Sequence, residues 1–195
     1  MRKIGLLGGT FDPVHNGHLM AAEAAREAAK LDEVWLIPTL VPPHKPQPGT
    51  DAASRRRMLE VAVADNDKLR VEDIELMKQG TSYTIDTVTA LQERHPDIQF
   101  YWIVGSDMLQ DLPHWRRIEE LVDRVSFIGL ERPDQPSDDS ELPTFIRRKL
   151  NRAGMPPMGI SSTDIRRRVK DGRSVRYMLP EPVREYMQRN GLYGS

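Results

Sequence analysis

The sequence predicts an α/β doubly wound fold with a parallel sheet. Short apolar runs at residues 3–7, 33–38, 100–104 and 125–130 read as buried strands. Segments of helical composition alternate with them. Glycine-bearing turns follow two of the runs, at Gly8-Gly9 and at Gly105-Ser106-Asp107. In doubly wound folds, ligands bind beyond the carboxyl ends of the strands, where such turns lie.

The elements are justified in chain order. Ile4-Gly5-Leu6-Leu7 and Val34-Trp35-Leu36-Ile37 flank an alanine-rich helical segment, residues 18–30. Strand, helix, strand at this spacing is a βαβ unit, which requires a right-handed crossover. Pro38, Pro42, Pro43, Pro46 and Pro48 make residues 39–52 a loop. Residues 53–64 read as a helix burying Met58, Leu59, Val61 and Ala62, and residues 71–75 as a strand. A helix over 81–94 ends at His95-Pro96. Phe100-Tyr101-Trp102-Ile103-Val104 is a fourth strand and 125–130 a fifth. Residues 131–143 are acidic and proline-rich, so a mobile surface loop that buries almost nothing is expected. Helices follow at 144–150, 160–170 and 182–189. Residues 1–195 read as a single domain.

Composition narrows the function. The chain has 195 residues, 38% of them hydrophobic, enough for one substantial core. Its formal net charge of −1 argues against a polyelectrolyte partner, and the basic run from Arg147 to Arg176 has too few aromatics for a nucleic-acid surface. Cysteine is absent, which excludes disulfides and thiol chemistry and fits a reducing compartment. No run approaches the roughly 20 apolar residues of a membrane span. A cytoplasmic protein without membrane attachment is expected. The sequence leaves open whether it forms a homo-oligomer.

The most informative segment is Gly8-Gly9-Thr10-Phe11-Asp12-Pro13-Val14-His15-Asn16-Gly17-His18. It lacks the Gly-Lys-Ser/Thr of a P-loop and the G-x-G-x-x-G of a dinucleotide site. Two glycines alone are explained by a tight strand-to-helix turn. His15 and His18, three apart at a helix mouth, change that reading: backbone N–H groups, a helix N-terminus and two imidazoles converge on one anion. A zinc site is disfavoured, because the metalloprotease spacing is four with an intervening glutamate. A second helix mouth is foreseen at Ile160-Ser161-Ser162-Thr163-Asp164-Ile165-Arg166. Ser161 reads as N-cap and Asp164 completes a capping box. Capping alone does not require Arg166, whose guanidinium suits a phosphate. Pro42-Pro43-His44-Lys45 is a stiff loop presenting a lysine.

These words together resemble the nucleotidyltransferase superfamily, whose (His/Thr)-x-Gly-His signature is matched by His15-Asn16-Gly17-His18. The second superfamily word, Ile-Ser-Ser-Thr-x-Ile-Arg, is matched at 160–166. Ser82-Tyr83-Thr84-Ile85-Asp86-Thr87 and Leu112-Pro113-His114-Trp115 narrow the resemblance to the bacterial nicotinate-nucleotide adenylyltransferases. Met155-Pro156-Pro157-Met158-Gly159 departs from the family, which has a cleaner apolar strand there.

The resemblance implies a Rossmann-like sheet of the nucleotidyltransferase type. It also implies transfer of the adenylyl group of ATP to nicotinate mononucleotide, giving nicotinate adenine dinucleotide and pyrophosphate in NAD biosynthesis. His15, His18 and Arg166 would be catalytic. Gly8, Gly9, Thr10, Phe11, His18, Gly105, Asp107, Ser161, Ser162 and Arg166 would bind ATP. Lys45, Thr84 and Trp115 would bind nicotinate mononucleotide, with the indole stacked on the pyridine ring. Mg²⁺ would arrive on ATP and need no dedicated protein ligands. Trp35 and Trp102 read as plain core. Competing readings are an adenylyltransferase for another phosphate acceptor such as phosphopantetheine, and a non-catalytic nucleotide-sensing module.

Overall fold

The computed structural model describes residues 1–43, 47–78, 80–131 and 140–194. Strands β1 (Arg2–Gly9), β2 (Glu33–Pro38), β3 (Leu69–Val71), β4 (Ile98–Gly105), β5 (Ser126–Glu131) and β6 (Leu150–Gly154) form one sheet in the order β3-β2-β1-β4-β5-β6. Every pairing is parallel. β1 is central: Ile4 pairs with Glu33 on β2 and with Phe100 on β4. The strand order reverses between β1 and β4, and this is where ligands enter such sheets.

Both faces of the sheet are covered, which is why its strands read as continuous apolar runs. Side chains alternate across the sheet plane. Val34, Leu36, Tyr101 and Ile103 join the core with α1 (Asn16–Ala28), α2 (Ala52–Ala62), α7 (Ser162–Lys170) and α8 (Glu181–Arg189). Trp35, Ile37, Phe100, Trp102 and Val104 join the opposite core with α3 (Thr84–Arg94) and α5 (Ile118–Arg124). Small residues line α1 where it meets the sheet: Ala22 and Ala25 are fully buried. Helices α4 (Ser106–Leu109) and α6 (Thr144–Arg147) are single turns. Among the described residues no helix is long and apolar enough to cross a membrane.

Several expected elements shift, each for a local reason. The strand expected at 71–75 is Leu69–Val71: Glu72 N–H makes a bond to Leu36 O at 2.9 Å, and the chain then turns, with Leu76 N–H on Asp73 O at 2.9 Å. The helix expected from 81 starts at Thr84, because Ser82 N–H is drawn to Val41 O at 3.0 Å and Tyr83 is extended. The helix expected over 144–150 stops at Arg147. The sixth strand, Leu-Asn-Arg-Ala-Gly, was not foreseen: it is an edge strand in which only Ala153 is fully enclosed. Pro156 and Pro157 follow its end and so do not interrupt it. The expected surface loop, 131–143, is corrected at both ends. Glu131 belongs to β5, and Leu142 is 3% exposed, so this stretch contributes to the core. Residues 132–139 lie outside the described residues.

Candidate active site

The glycine turn is shaped by what packs against it. A Cβ on Gly9 would lie 2.9 Å from the Phe11 ring, and Phe11 itself takes a positive φ of 49°. Glycine therefore lets the ring fold back beneath the turn. Phe11 is 1% exposed, and its ring meets His18 edge to face at 4.9 Å. Its ring is thus a buried brace for His18.

His15 is the N-cap of α1, and His18 occupies the third helical position. His15 N–H donates to His18 Nδ1 at 3.2 Å. That nitrogen accepts, so the ring hydrogen of a neutral His18 sits on Nε2. The imidazoles stack at 3.7 Å between centroids, 23° from parallel. His15 is buried, its Nδ1 has no partner, and desolvation lowers its pKa to about 4. At neutral pH the stacked pair is one of hydrogen-bond donors, with His15 uncharged.

The second helix mouth faces the first. Ser161 Oγ accepts Asp164 N–H at 3.1 Å, as expected of an N-cap. The reciprocal half of the capping box is replaced: the Asp164 carboxylate accepts instead from Arg168 at 2.7 Å and from Arg167. The Ser162 hydroxyl donates to Pro13 O at 2.8 Å, and Arg166 Nη1 donates to Asp12 O at 2.8 Å. The hydroxyl expected to meet phosphate thus fastens α7 to the glycine turn. The anion donors at this mouth are then the N–H groups of Ser162 and Thr163, which have no intrahelical acceptor, and the other guanidinium nitrogens of Arg166, of which Nη2 also contacts Thr163 Oγ1 at 3.4 Å.

A buried network that sequence reasoning missed holds the turn. Asp12 is 4% exposed; its Oδ2 accepts Gly49 N–H at 3.1 Å and its Oδ1 accepts the Tyr193 hydroxyl at 2.5 Å. Burial, and then the hydrogen bond to Asp12, push the Tyr193 phenol far above its ordinary pKa. Arg55 is 1% exposed and donates to Thr10 O at 2.7 Å and to Thr50 O at 3.2 Å. Arg55 lies among three consecutive arginines, so nothing local marks it as buried.

Two cavities open at the ends of β1 and β4. The larger, about 770 Å³, brings together His15, His18, Ser161, Ser162, Arg166 and Asp107. The smaller, about 430 Å³, is lined by Thr84, Trp115, Tyr83, Glu75, His114 and Arg116 among others. Leu7, Gly8, Gly9, Thr10 and Gly105 line both. A Cβ on Gly105 would lie 2.6 Å from Asp107 Oδ1, so that carboxylate folds back only over a glycine. Trp115 packs edge to face on Trp102 at 6.4 Å and on Phe127 at 6.5 Å. Trp35 is core, as expected. Trp102 is core and also cavity wall, contrary to the plain-core expectation, because it lies under Gly8 with no side chain between. Lys45 lies outside the described residues. Among the described residues, no group of three or more His, Cys, Asp or Glu is placed to hold a metal ion.

Residues 6–168 match the cytidylyltransferase-like family. A nicotinate-nucleotide adenylyltransferase of Bacillus subtilis (strain 168) is 40% identical over 196 residues, covering 100% of both chains. A probable nicotinate-nucleotide adenylyltransferase of Geobacillus kaustophilus is 44% identical, covering 100% of this chain and 88% of the relative. Among solved structures, the Plasmodium falciparum nicotinic acid mononucleotide adenylyltransferase complexed with NaAD superposes with a TM-score of 0.81 at 23% identity, covering 99% of this chain and 98% of that one. The shared fold, the full-length similarity and the cavities joined at the glycine turn agree: the chain belongs to the nicotinate-nucleotide adenylyltransferases of the cytidylyltransferase-like family.

Proposed function

We propose that the two cavities are the donor and acceptor sites of one reaction, transfer of the adenylyl group of ATP to nicotinate mononucleotide. The observation that carries this is their shared wall, Gly8-Gly9-Thr10 and Gly105 at the sheet's switch point. Substrates in adjoining cavities meet there, with bare backbone where the reacting phosphates must pass.

An oxygen of the mononucleotide phosphate attacks the α-phosphorus of ATP. A new P–O bond forms as the bond to the β,γ-pyrophosphate breaks. The attacking oxygen is already anionic, so no general base is required. Catalysis then comes from alignment and from donors to the charge that develops on the leaving group. His18 Nε2–H, a His15 N–H, the α7 mouth and Arg166 surround the larger cavity and suit that task. The adenosine would lie toward Gly105 and Asp107.

Mg²⁺ fits as a passenger on ATP. The larger cavity offers mainly donors, and Asp12 is already committed to Tyr193 and Gly49. When bound, the ion would neutralise charge on the phosphates, which would supply its oxygen ligands.

In the smaller cavity, Tyr83 caps α3 with no side-chain bond, and Asp86 N–H turns back to Tyr83 O at 3.1 Å, which leaves the N–H groups of Thr84 and Ile85 for an anion. The nicotinate carboxylate fits there, beneath Trp115. The Plasmodium falciparum protein of similar fold is complexed with NaAD in one solved structure and with APC in another. The absence of cysteine supports a cytoplasmic setting.

The test is pyrophosphate release from ATP with nicotinate mononucleotide, nicotinamide mononucleotide and phosphopantetheine as alternative acceptors. Preference for the first supports the reading. Turnover with phosphopantetheine alone refutes the acceptor, and no turnover with any acceptor refutes the chemistry.

A further inference from the structure

Glu75 is a buried acid that the reaction above does not use. It is 3% exposed and forms part of the acceptor cavity's wall. Its Oε1 lies 2.8 Å from Thr87 Oγ1, in the first turn of α3. Its Oε2 is buried without a partner. The hydroxyls of Ser82 and Thr39 face the carboxyl but do not reach bonding geometry at that oxygen.

The Thr87 hydroxyl accommodates a protonated carboxyl as readily as an ionised one. It lies within reach of two oxygens, Glu75 Oε1 at 2.8 Å and Tyr83 O at 3.3 Å, but has one hydrogen to give. If Glu75 carries a proton on Oε1, Glu75 donates to Thr87 and Thr87 donates to Tyr83 O. Every hydrogen is then assigned. The unpartnered Oε2 becomes the carbonyl oxygen of a neutral acid, far cheaper to bury than half of a carboxylate. Desolvation independently pushes the Glu75 pKa upward, against the opposing pull of the neighbouring hydroxyls and Lys78.

We propose that Glu75 is a specificity-determining residue for the acceptor: it stands in the cavity wall as a neutral carboxylic acid, leaving the positive end of α3 to an anionic ring substituent of the mononucleotide. This rests on the acceptor-site reading given above. An ionised Glu75 would occupy the same helix end and repel a second carboxylate. A neutral amide would not feel that repulsion. Binding of the acid acceptor to ionised Glu75 therefore draws one proton from the buffer to the Glu75 carboxyl.

Among the described residues, the charged groups around it are few. Lys78, from the segment that carries Glu75, donates to Asp86 O at 2.9 Å. Asp86, on α3, is partly exposed and pairs with Arg117 at 3.9 Å. His114 and Arg116 line the cavity from the 112–117 segment, and Arg116 stacks over the Tyr83 ring at 4.5 Å. From residues 39–43, only the uncharged Thr39 faces it.

The experiment measures KM for nicotinate mononucleotide and for nicotinamide mononucleotide from mildly acidic to alkaline pH, in the wild-type enzyme and in Glu75→Gln. Glutamine reproduces the neutral acid, since its amide donates to Thr87 in the same place. In the wild type, KM for the acid acceptor should rise above the Glu75 titration by up to about tenfold per pH unit, the limit for one linked proton. KM for the amide acceptor should not follow. Glu75→Gln should carry the low-pH KM for the acid acceptor into the alkaline range. His114 is common to both proteins, so the difference between them isolates Glu75.

Equal pH slopes in the two proteins, or in the two acceptors, would overturn the proposal. If Glu75→Gln does not fold, calorimetry of nicotinate mononucleotide binding to the wild type decides. In alkaline buffers of unlike ionisation enthalpy it should report uptake of up to one proton, and no uptake refutes the role. Thr84→Val separates the two readings. If it leaves binding of the acid acceptor unchanged, the acceptor site itself is misplaced. If it weakens binding while the Glu75 slopes coincide, only the role of Glu75 falls.

Discussion

The hydroxyl of Tyr193 donates to Asp12 Oδ1 at 2.5 Å, joining residues 181 positions apart. The segment after α8 thereby pins the loop that leads into α1, and Arg166 of α7 is held to the backbone carbonyl of that same Asp12. Tyr193→Phe keeps the ring and removes the donor, leaving a carboxylate oxygen unpaired in a site that is 4% exposed. Thermal or denaturant unfolding should show a loss of about 1–3 kcal/mol, the cost of one orphaned buried group. KM for ATP should rise more than KM for the mononucleotide. An unaltered KM for ATP would mean that the network serves stability alone.

His15 makes the fold sensitive to acid. Its pKa is lowered from 6.5 to about 4, so the unfolded chain takes up the proton first. The stabilising difference is fully present above pH 6.5 and is lost as pH falls toward about 4. The loss across that window should be roughly 2–3 kcal/mol, at 1.36 kcal/mol per unit. Denaturant unfolding at a series of pH values should show this slope in the wild type and a flatter one in His15→Asn. Parallel slopes in the two proteins would contradict the burial argument.

His18 lines the larger cavity while its Nδ1 accepts a backbone N–H, so the hydrogen of the neutral ring is on Nε2. His18→Ala should lower kcat by about 10²–10³-fold, the usual effect of removing one preorganised donor to developing charge. Arg166→Ala should raise KM for ATP far more than KM for the acceptor. Steady-state kinetics on variants with native circular dichroism measures both. Near-normal turnover by His18→Ala would remove the phosphate site from this cavity.

Acceptor choice should depend on Thr84. In the proposed acceptor site the Thr84 hydroxyl and the N–H groups of Thr84 and Ile85 would supply donors to a ring carboxylate, whereas the NH₂ of an amide would meet those donors with no acceptor. Each mismatch costs about 1–3 kcal/mol, so two imply roughly hundredfold discrimination in kcat/KM. Thr84→Val should narrow that gap by impairing the acid acceptor. Comparable kcat/KM for both mononucleotides in the unmodified enzyme would contradict the carboxylate assignment.

The parallel sheet was legible in the amino-acid order alone, because its inner strands are buried on both faces and so read as continuous apolar runs. The glycines at 8, 9 and 105 after those runs, and His15, His18 and Arg166 at helix mouths, were legible there too, and the structure brings all six to one cavity. These are local signals, carried by neighbouring residues. The β6 strand escaped because an edge strand with polar residues has no such period. Tertiary structure alone decided that the Ser162 hydroxyl holds Pro13, that Arg55 is buried under Thr10, and that Tyr193 holds Asp12. It also decided that Glu75, bonded to Thr87, stands in the wall of the smaller cavity. Each of these joins segments that are remote or separately folded, and hydrogen-bond partners set by chain crossing leave no periodicity in the sequence.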